Sequence, residues 1–459
     1  MRRRLLRDLN RDPGILILAY PYARTWNPIS SDIVRKSWSG VESNQVAVAY
    51  IHIPFCRRKC TFCDFLAYYG RSGSEIKSYL DILFQEIAIV ARNTSHIRLS
   101  AIHLGGGTPS LLNIAQVHRL VDQLTSRFST DNEIQVTMEA FPQGIGREQL
   151  NGWRLAGINR LSYGIQFFDD QLKRSVNRDD SLEENLQILR DTVEAGFQDI
   201  NLDLMCGLPN QTMESWENTL DQAIALELSH VCIFPVSVRH PGVPLYKKRY
   251  SLPPADETRR MWDNAVSRLC EAGYHRTTRH NFMRPGYKYR YEYMIAHLAP
   301  LIALGANSVG YSKDCIYRNH SDLKKYAASV TQGDWPIRAG HLFEGDDCYH
   351  NYVVRRIEYL QLNGKEFKDQ FGKPLEEVFP EQIRLLERFN LARMVSGDLK
   401  LTEDGIYFTS AVKRTFFHPS AWAKFESMSP AELLLERGIQ ETEAIPASSD
   451  YGYRQPGFA

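Results

Sequence analysis

The stretch that decides the fold is Tyr50-Ile51-His52-Ile53-Pro54-Phe55-Cys56-Arg57-Arg58-Lys59-Cys60-Thr61-Phe62-Cys63, an apolar run that leads into a C-x3-C-x2-C loop. Three thiolates at this spacing are suited to hold an iron–sulfur cluster. No fourth cysteine follows nearby in the sequence, so one iron of a cuboidal cluster would lack a protein ligand. Ordinary structural thiols are the alternative, and three of them within eight residues favour the cluster.

Composition narrows the class of partner. The 459 residues contain 55 lysines and arginines against 54 acidic residues, a net charge of +1, which argues against nucleic acid or an anionic membrane surface as partner. The basic start lacks the apolar core of a secretory signal, and no stretch reaches the roughly 18 apolar residues of a membrane span. We therefore expect a cytoplasmic protein that binds neither nucleic acid nor membrane.

Short apolar runs alternate with amphipathic ones after residue 45. The predicted strands are 46–53, 99–104, 133–139, 160–166, 198–205 and 231–236, and the predicted helices are 74–92, 114–128, 147–156, 181–195 and 214–226. This alternation predicts an α/β fold with a parallel sheet, either open or curled into a full or partial barrel. Functional loops then follow the carboxyl ends of the strands.

The chain divides into three predicted parts. Residues 1–45 form an N-terminal arm, 46–345 the barrel and its extension, and 346–459 a helical, winged-helix-like domain with a flexible tail. Tyrosines at 287, 289, 291 and 293 alternate as in a strand, which suits either half-buried packing or the lining of a pocket.

Small and ionisable residues stand at the predicted strand ends. Gly105-Gly106-Gly107-Thr108-Pro109 follows a strand, so its backbone is free to approach a ligand closely, and it lacks the lysine of a phosphate-binding P-loop. Glu139, Arg178 and Asp203 suit a ligand that carries an ammonium, a carboxylate and ribose hydroxyls. Surface ion pairing explains each of the three equally well when taken alone.

Six ordered motifs together carry a family resemblance. They are Tyr50-Ile51-His52-Ile53-Pro54-Phe55-Cys56, Cys60-x-Phe62-Cys63, Gly105-Gly106-Gly107-Thr108-Pro109, Asn159-Arg160-Leu161-Ser162 with Gly164-Ile165-Gln166, Val176-Asn177-Arg178, and Asp203-Leu204-Met205-x-Gly207-Leu208-Pro209-x-Gln211-Thr212. Over residues 46 to 425 the chain resembles radical S-adenosylmethionine (SAM) enzymes of the coproporphyrinogen III dehydrogenase-like (HemN-like) group. The resemblance implies a partial (β/α)6 barrel and a 4Fe-4S cluster on Cys56, Cys60 and Cys63. It also implies that one SAM chelates the open iron and is cleaved to a 5′-deoxyadenosyl radical.

Motif matching implies two SAM sites. The residues implied for the first SAM are Gly106, Gly107, Thr108, Glu139, Gln166, Arg178 and Asp203. The residues implied for a second SAM are Tyr50, Phe62, Met205, Ser237 and Val309.

Two departures from the family pattern shape the functional prediction. Phe65 stands where porphyrinogen dehydrogenases usually carry another cysteine, and His280-Asn281-Phe282-Met283-Arg284-Pro285 does not match the His-Asn-x-x-Tyr-Trp heme motif of the heme-chaperone branch. The chain therefore resembles the class C methylases and cyclopropanases of natural-product pathways. We predict that the deoxyadenosyl radical activates the methyl group of the second SAM for methyl or methylene transfer to an sp2 carbon.

The remaining expectations concern alternatives and partners. The alternatives are an oxygen-independent coproporphyrinogen III oxidative decarboxylase and a heme-binding or trafficking protein of the same family. The resemblance implies a small-molecule substrate and an external one-electron donor of flavodoxin or ferredoxin type, with a partner methyltransferase as a further option. We expect a monomer.

Overall fold

The computed structural model describes residues 1, 2, 5, 19–63, 65–236 and 252–427. The strands are β1 Val46–Ile53, β2 Phe55–Cys56, β3 Tyr68–Tyr69, β4 Arg98–Gly106, β5 Ser129–Ala140, β6 Arg160–Gln166, β7 Asp199–Cys206, β8 His230–Pro235, β9 His275–Arg276, β10 Asn281–Met283, β11 Leu301–Leu304, β12 Val309–Tyr311, β13 Cys315–Asn319, β14 Ile337–Leu342, β15 Gln361–Leu362, β16 Ala392–Val395 and β17 Asp398–Leu401.

The α-helices alternate with the strands through the first half of the chain and dominate its end. They are α1 Ser31–Ser39, α2 Gly73–Thr94, α3 Ile114–Thr125, α4 Arg147–Leu155, α5 Asp170–Ser175, α6 Leu182–Glu194, α7 Met213–Ala225, α8 Ala255–Glu271, α9 Arg290–Ala296, α10 Leu323–Thr331, α11 Asp347–Arg356, α12 Gly364–Phe371, α13 Leu375–Val378, α14 Pro380–Arg388, α15 Glu403–Tyr407, α16 Thr409–Thr415 and α17 Pro419–Ser427. Short 3-10 turns span Ala23–Thr25, Pro109–Leu111 and Ile357–Tyr359.

Six neighbouring parallel strands form the centre of the fold, in the order β1-β4-β5-β6-β7-β8. The sequence predicted all six, with β1 and β6 at their observed bounds. Their carboxyl ends meet at one rim, as expected for a parallel sheet of the (β/α)6 type. The predicted α/β class is confirmed.

Local signals set the helix ends that surround this sheet. Side-chain oxygens of Ser72, Asn113 and Ser181 accept the N–H three residues on, which places the starts of α2, α3 and α6. Gly157 and Gly196 follow α4 and α6 at φ +97° and +87°, the left-handed conformation that ends a helix.

The sheet extends beyond the six predicted strands at both edges. On one side β11 pairs in parallel with β1 and continues antiparallel through β12, β13 and β14; on the other, β10 and β9 follow β8. The strand that the tyrosine alternation indicated over 287–293 is wrong, because α9 occupies Arg290–Ala296. The Arg290 N–H donates to the Gln135 side chain of β5 at 2.8 Å, so a distant strand supplies a partner for the first turn of this helix.

A buried carboxylate anchors the loop that joins β11 to β12. Glu86, on α2 and 1% exposed, accepts from the Gly305 N–H, the Asn319 amide and the Tyr326 hydroxyl, each at 2.6 Å. Burial raises the pKa of Glu86 to about 7, although all three donors lower it. The anchor holds Gly305 against β1, where an added Cβ would lie 2.5 Å from the His52 carbonyl oxygen.

Two apolar clusters hold the parts of the chain together. The first fills the space between the central sheet and its helices, and the second joins residues near the N-terminus to the C-terminal helices.

The C-terminal part carries the antiparallel sheet β15-β17-β16 beside its helices, which includes the predicted turn and strand near residue 397. The domain boundaries at 45 and 345 stay a prediction. In the part of the chain that the structure describes, every helix is too short or too polar to cross a bilayer.

Candidate active site

The cysteine loop follows the carboxyl end of β1. The short strands β2 and β3 pair with each other and bring its two ends together. Cys56, in β2, pairs with Tyr69 of β3, and the Cys63 N–H donates to the Cys60 carbonyl at 3.1 Å. The Asn177 amide donates to the Lys59 carbonyl at 2.7 Å, which ties the loop to the segment after α5. These bonds to backbone carbonyls and the pairing of β2 with β3 hold the loop against the barrel.

The environment of the thiols fits an iron–sulfur cluster. Cys56, Cys60 and Cys63 are half-buried, the Thr108 hydroxyl donates to Cys56 Sγ at 3.3 Å, and Arg178 Nη1 lies 4.0 Å from Cys60 Sγ. Burial raises the pKa of the Cys56 thiol to about 11, whereas the Thr108 bond lowers it. Ligation to iron requires the thiolate, which both donors stabilise.

The thiols do not converge on a point. Among the described residues no three ligating side chains gather around a position for a single metal ion. A cuboidal cluster does not require such convergence, because each cysteine binds a different iron.

The glycine-rich turn passes directly over the base of this loop. Gly107 N–H donates to the Ile53 carbonyl at 2.9 Å, and a Cβ added to Gly107 would lie only 2.6 Å from the Phe55 carbonyl oxygen. Gly106, at φ +113°, directs its N–H to Glu139 Oε2 at 3.1 Å. The turn therefore brings bare backbone and one carboxylate beside the cysteine loop.

Arg178 is fixed on the opposite side by a buried ion network. Its Nε donates to Asp180 at 3.0 Å and its Nη2 to the Gly164 carbonyl at 2.6 Å, while its guanidinium stands 4.5 Å from the Phe141 ring centroid. Lys173 also donates to Asp180, whose side chain is fully buried. With these bonds made, Arg178 presents a preorganised cation toward the thiols.

Two further predicted residues lie on adjacent strands of the same rim. In the β6–β7 pairing Gln166, at φ +72°, stands opposite Leu204, and Gly164 opposite Asp203. Burial raises the pKa of Asp203 to about 6, and the negative charge of Glu139 adds to that rise. The Asn201 amide donates to Asp203 at 2.7 Å.

The residues implied for a second SAM border two different apolar clusters. Phe62 packs against an apolar cluster that contains Met205, and Tyr50 and Val309 both pack against the second core cluster. Ser237 lies outside the described residues.

Sequence reasoning missed a set of polar side chains deeper in the barrel. His103 Nε2 lies 2.9 Å from Glu139 Oε1, and Tyr289 is 2.9 Å from the other ring nitrogen of His103. Arg160 stands 4.1 Å from the Tyr289 ring centroid. The one signal for His103 is its position two residues before Gly105, on the same face of β4.

A parallel half-barrel, a three-cysteine loop and a polar rim define a radical SAM protein. The family model of the radical SAM superfamily matches residues 50–223. Oxygen-independent coproporphyrinogen III oxidase of Salmonella typhimurium is 30% identical over 378 residues, which cover 79% of this chain and 81% of that protein. The chain belongs to the coproporphyrinogen III oxidase-like (HemN-like) family of radical SAM enzymes.

Two further comparisons extend the likeness over most of the chain. The heme chaperone HemW of Bacillus subtilis is 28% identical over 363 residues, covering 78% of this chain and 95% of that protein. The structure of coproporphyrinogen III oxidase (HemN) from Escherichia coli superposes with a TM-score of 0.78 at 26% identity, covering 87% of this chain and 96% of that one. Membership of this family implies a 4Fe-4S cluster and SAM.

The comparisons overturn the predicted reaction. Methylation or cyclopropanation of a natural product was inferred from two local departures, at Phe65 and after Asn281, whereas the similarity to the oxidases and to the heme chaperone covers more than three quarters of the chain. The class C methylase character and the methyltransferase or cyclopropanase activity are therefore wrong. Phe65 is 53% exposed on the surface of its loop. A substitution at so exposed a position is weak ground for inferring chemistry inside the barrel.

Proposed function

We propose that this chain is an oxygen-independent oxidative decarboxylase of coproporphyrinogen III or a closely related reduced tetrapyrrole. The observation that carries the proposal is the similarity to coproporphyrinogen III oxidases over about four fifths of both chains. The cysteine loop, the glycine turn and the polar rim all lie within that shared length.

The rim supplies complementary groups for one SAM beside the cluster. In this proposal Cys56, Cys60 and Cys63 hold the cluster, Arg178 binds the SAM carboxylate, Glu139 its ammonium, and Asp203 the ribose hydroxyls. When bound, these cofactors supply hydrogen-atom abstraction driven by one-electron reduction of SAM. The chain's own contribution is to orient SAM by fixed charges and to exclude water with the surrounding apolar walls.

A second SAM is part of the proposal. Phe62, which belongs to the cysteine loop, and Met205 border one apolar cluster, and Tyr50 and Val309 border another, and we propose that these four residues contact it. Equilibrium binding to the cluster-loaded protein tests this directly, because a stoichiometry of one SAM per chain would contradict it. An external one-electron donor of flavodoxin or ferredoxin type remains a proposal as well.

The decisive assay is anaerobic incubation of the cluster-loaded protein with coproporphyrinogen III, SAM and a reductant. We expect release of carbon dioxide that requires SAM and is abolished by Cys60→Ser. Turnover of SAM without any loss of carbon dioxide from this substrate would refute the proposal.

A heme-carrier function is the second candidate. It is favoured by the match to the heme chaperone, which spans 95% of that protein. Tight stoichiometric heme binding, together with no release of carbon dioxide, would support this candidate instead.

A further inference from the structure

His103 is held rigidly inside the barrel, one layer below the rim. The residue is 4% exposed, and its ring is nearly parallel to the rings of Tyr50, at 5.7 Å and 13°, and Tyr291, at 4.7 Å and 19°. Both ring nitrogens are engaged: Nε2 with Glu139 Oε1 and Nδ1 with the Tyr289 hydroxyl, each at 2.9 Å. Neither rotation nor withdrawal of the ring is possible without breaking these contacts.

The chemistry of the partners fixes the direction of each hydrogen bond. An ionised carboxylate only accepts, so Nε2 carries the N–H that faces Glu139. In a neutral imidazole Nδ1 is then an acceptor, and the Tyr289 hydroxyl is the group that donates to it. Glu139 thereby sets the tautomer of His103, and Tyr289 holds the ring at its other nitrogen, as an outer partner does for a metal-bound histidine.

His103 and Tyr289 orient Glu139 but leave part of its hydrogen-bonding capacity unused. One oxygen accepts from His103, the other accepts from the Gly106 N–H at 3.1 Å, and 39% of the side chain stays exposed toward the barrel interior. A carboxylate has about four lone-pair positions, so about two remain for a ligand.

We infer that Tyr289 and His103 are positioning residues that hold Glu139 in the orientation in which it binds the ammonium group of SAM. The inference rests on the proposed assignment of Glu139 to SAM and adds to it a hydrogen-bond relay from α9. It gives a function to the tyrosine segment that closes the inner end of the barrel.

The chain offers a matched pair of variants. Tyr289→Phe removes the hydroxyl that donates to His103, whereas Tyr291→Phe removes a hydroxyl with no hydrogen bond among the described residues, from a ring stacked on the same imidazole. The dissociation constant of SAM is measured on cluster-loaded protein without substrate or reductant. We expect Tyr289→Phe to weaken SAM binding about 3- to 10-fold and His103→Phe about 10- to 100-fold. Tyr291→Phe should leave it within about twofold of the wild type, since no hydrogen bond is lost.

A second readout separates positioning from loss of structure. In protein labelled with 15N at histidine, the His103 resonances, identified by their absence in His103→Phe, should report the Nε2–H tautomer in the wild type and in Tyr291→Phe. In Tyr289→Phe the Nε2–H tautomer should persist, because Glu139 still accepts from Nε2, whereas the Nδ1 resonance should move to the value of an acceptor nitrogen without a hydrogen bond. A general packing defect would not produce this change at one nitrogen alone.

Glu139→Gln tests the SAM-binding role of Glu139 separately from the positioning role of Tyr289 and His103. If this variant binds SAM as tightly as the wild type, the assignment of Glu139 is wrong and the relay has no role in SAM binding. If Glu139→Gln weakens binding while Tyr289→Phe and His103→Phe do not, the assignment stands and the relay is refuted. Weakened binding in all three, with a shifted Nδ1 resonance in Tyr289→Phe, supports the inference.

Discussion

Substitution of Gly107 by alanine should disrupt the contact between the glycine turn and the cysteine loop. An added Cβ would lie 2.6 Å from the Phe55 carbonyl oxygen, 2.8 Å from its nitrogen and 2.9 Å from its carbonyl carbon. These three atoms are backbone and cannot rotate away. To reach an ordinary contact of 3.4 Å, the turn and the loop must move apart by up to 0.8 Å.

That displacement affects both stability and cofactor binding. Overpacking of a rigid site costs about 1–3 kcal/mol, and the 2.9 Å bond from the Gly107 N–H to Ile53 joins the same two segments. We expect Gly107→Ala to lower the free energy of unfolding of the cofactor-free protein by about that amount, measured by urea denaturation. Because Cys56 follows Phe55, the fraction of protein that takes up a cluster on reconstitution should also fall.

Gly73→Ala is the matched control. Gly73 is the first residue of α2, and no atom lies within 4 Å of its added Cβ, so this variant should be neutral or more stable by up to about 1 kcal/mol. Equal unfolding free energies and equal cluster content in the two variants would refute the close-approach reasoning.

Two further predictions concern buried charges. The pKa of Glu86 is raised by burial from 4.5 to about 7, so its contribution favours the folded protein below pH 4.5 and is lost as pH rises through about 7. At 1.36 kcal/mol per pKa unit, the wild type should lose about 3 kcal/mol more stability than Glu86→Gln between pH 4 and pH 8, and parallel urea curves for the two proteins would contradict this. Asp180→Asn leaves Lys173 and Arg178 as buried cations without their carboxylate, so unfolding at neutral pH should become easier by about 3–5 kcal/mol. An unchanged urea midpoint would show that the network contributes little to stability.

The central strands were predictable because their signals are local. Val46–Ile53 is an uninterrupted apolar and β-branched run that ends before Pro54, and Arg160–Gln166 follows a glycine-terminated helix. Once the strands are known, parallel order places their carboxyl ends at one rim, which is why the glycine turn, Glu139 and Asp203 were identified together. Contacts between rim and loop, such as Thr108 with Cys56, confirm that placement.

The inner layer of the site was not predictable in this way. His103 and Tyr289 are 186 residues apart, and α9 begins with an N–H bonded to a side chain on β5. The alternating tyrosines indicated a strand because only neighbouring residues were considered. Gln135, which bonds the first N–H of α9, is far away in the sequence, and so are the residues around Tyr289. Helix or strand is decided there by tertiary contacts, which outweigh a propensity difference of at most about 1 kcal/mol.

The same distinction explains why the reaction was predicted wrongly while the cofactors were not. The cluster was predicted from three cysteines in one loop, and SAM was implied by ordered motifs that resemble the family. The reaction depends on the substrate, whose pocket is bounded by segments far apart in sequence, so one exposed residue such as Phe65 carries little information about it. A buried relay such as Tyr289, His103 and Glu139 is the better place to look for a difference between branches, because a change at any of its three positions alters a charge or a hydrogen bond at the proposed SAM site.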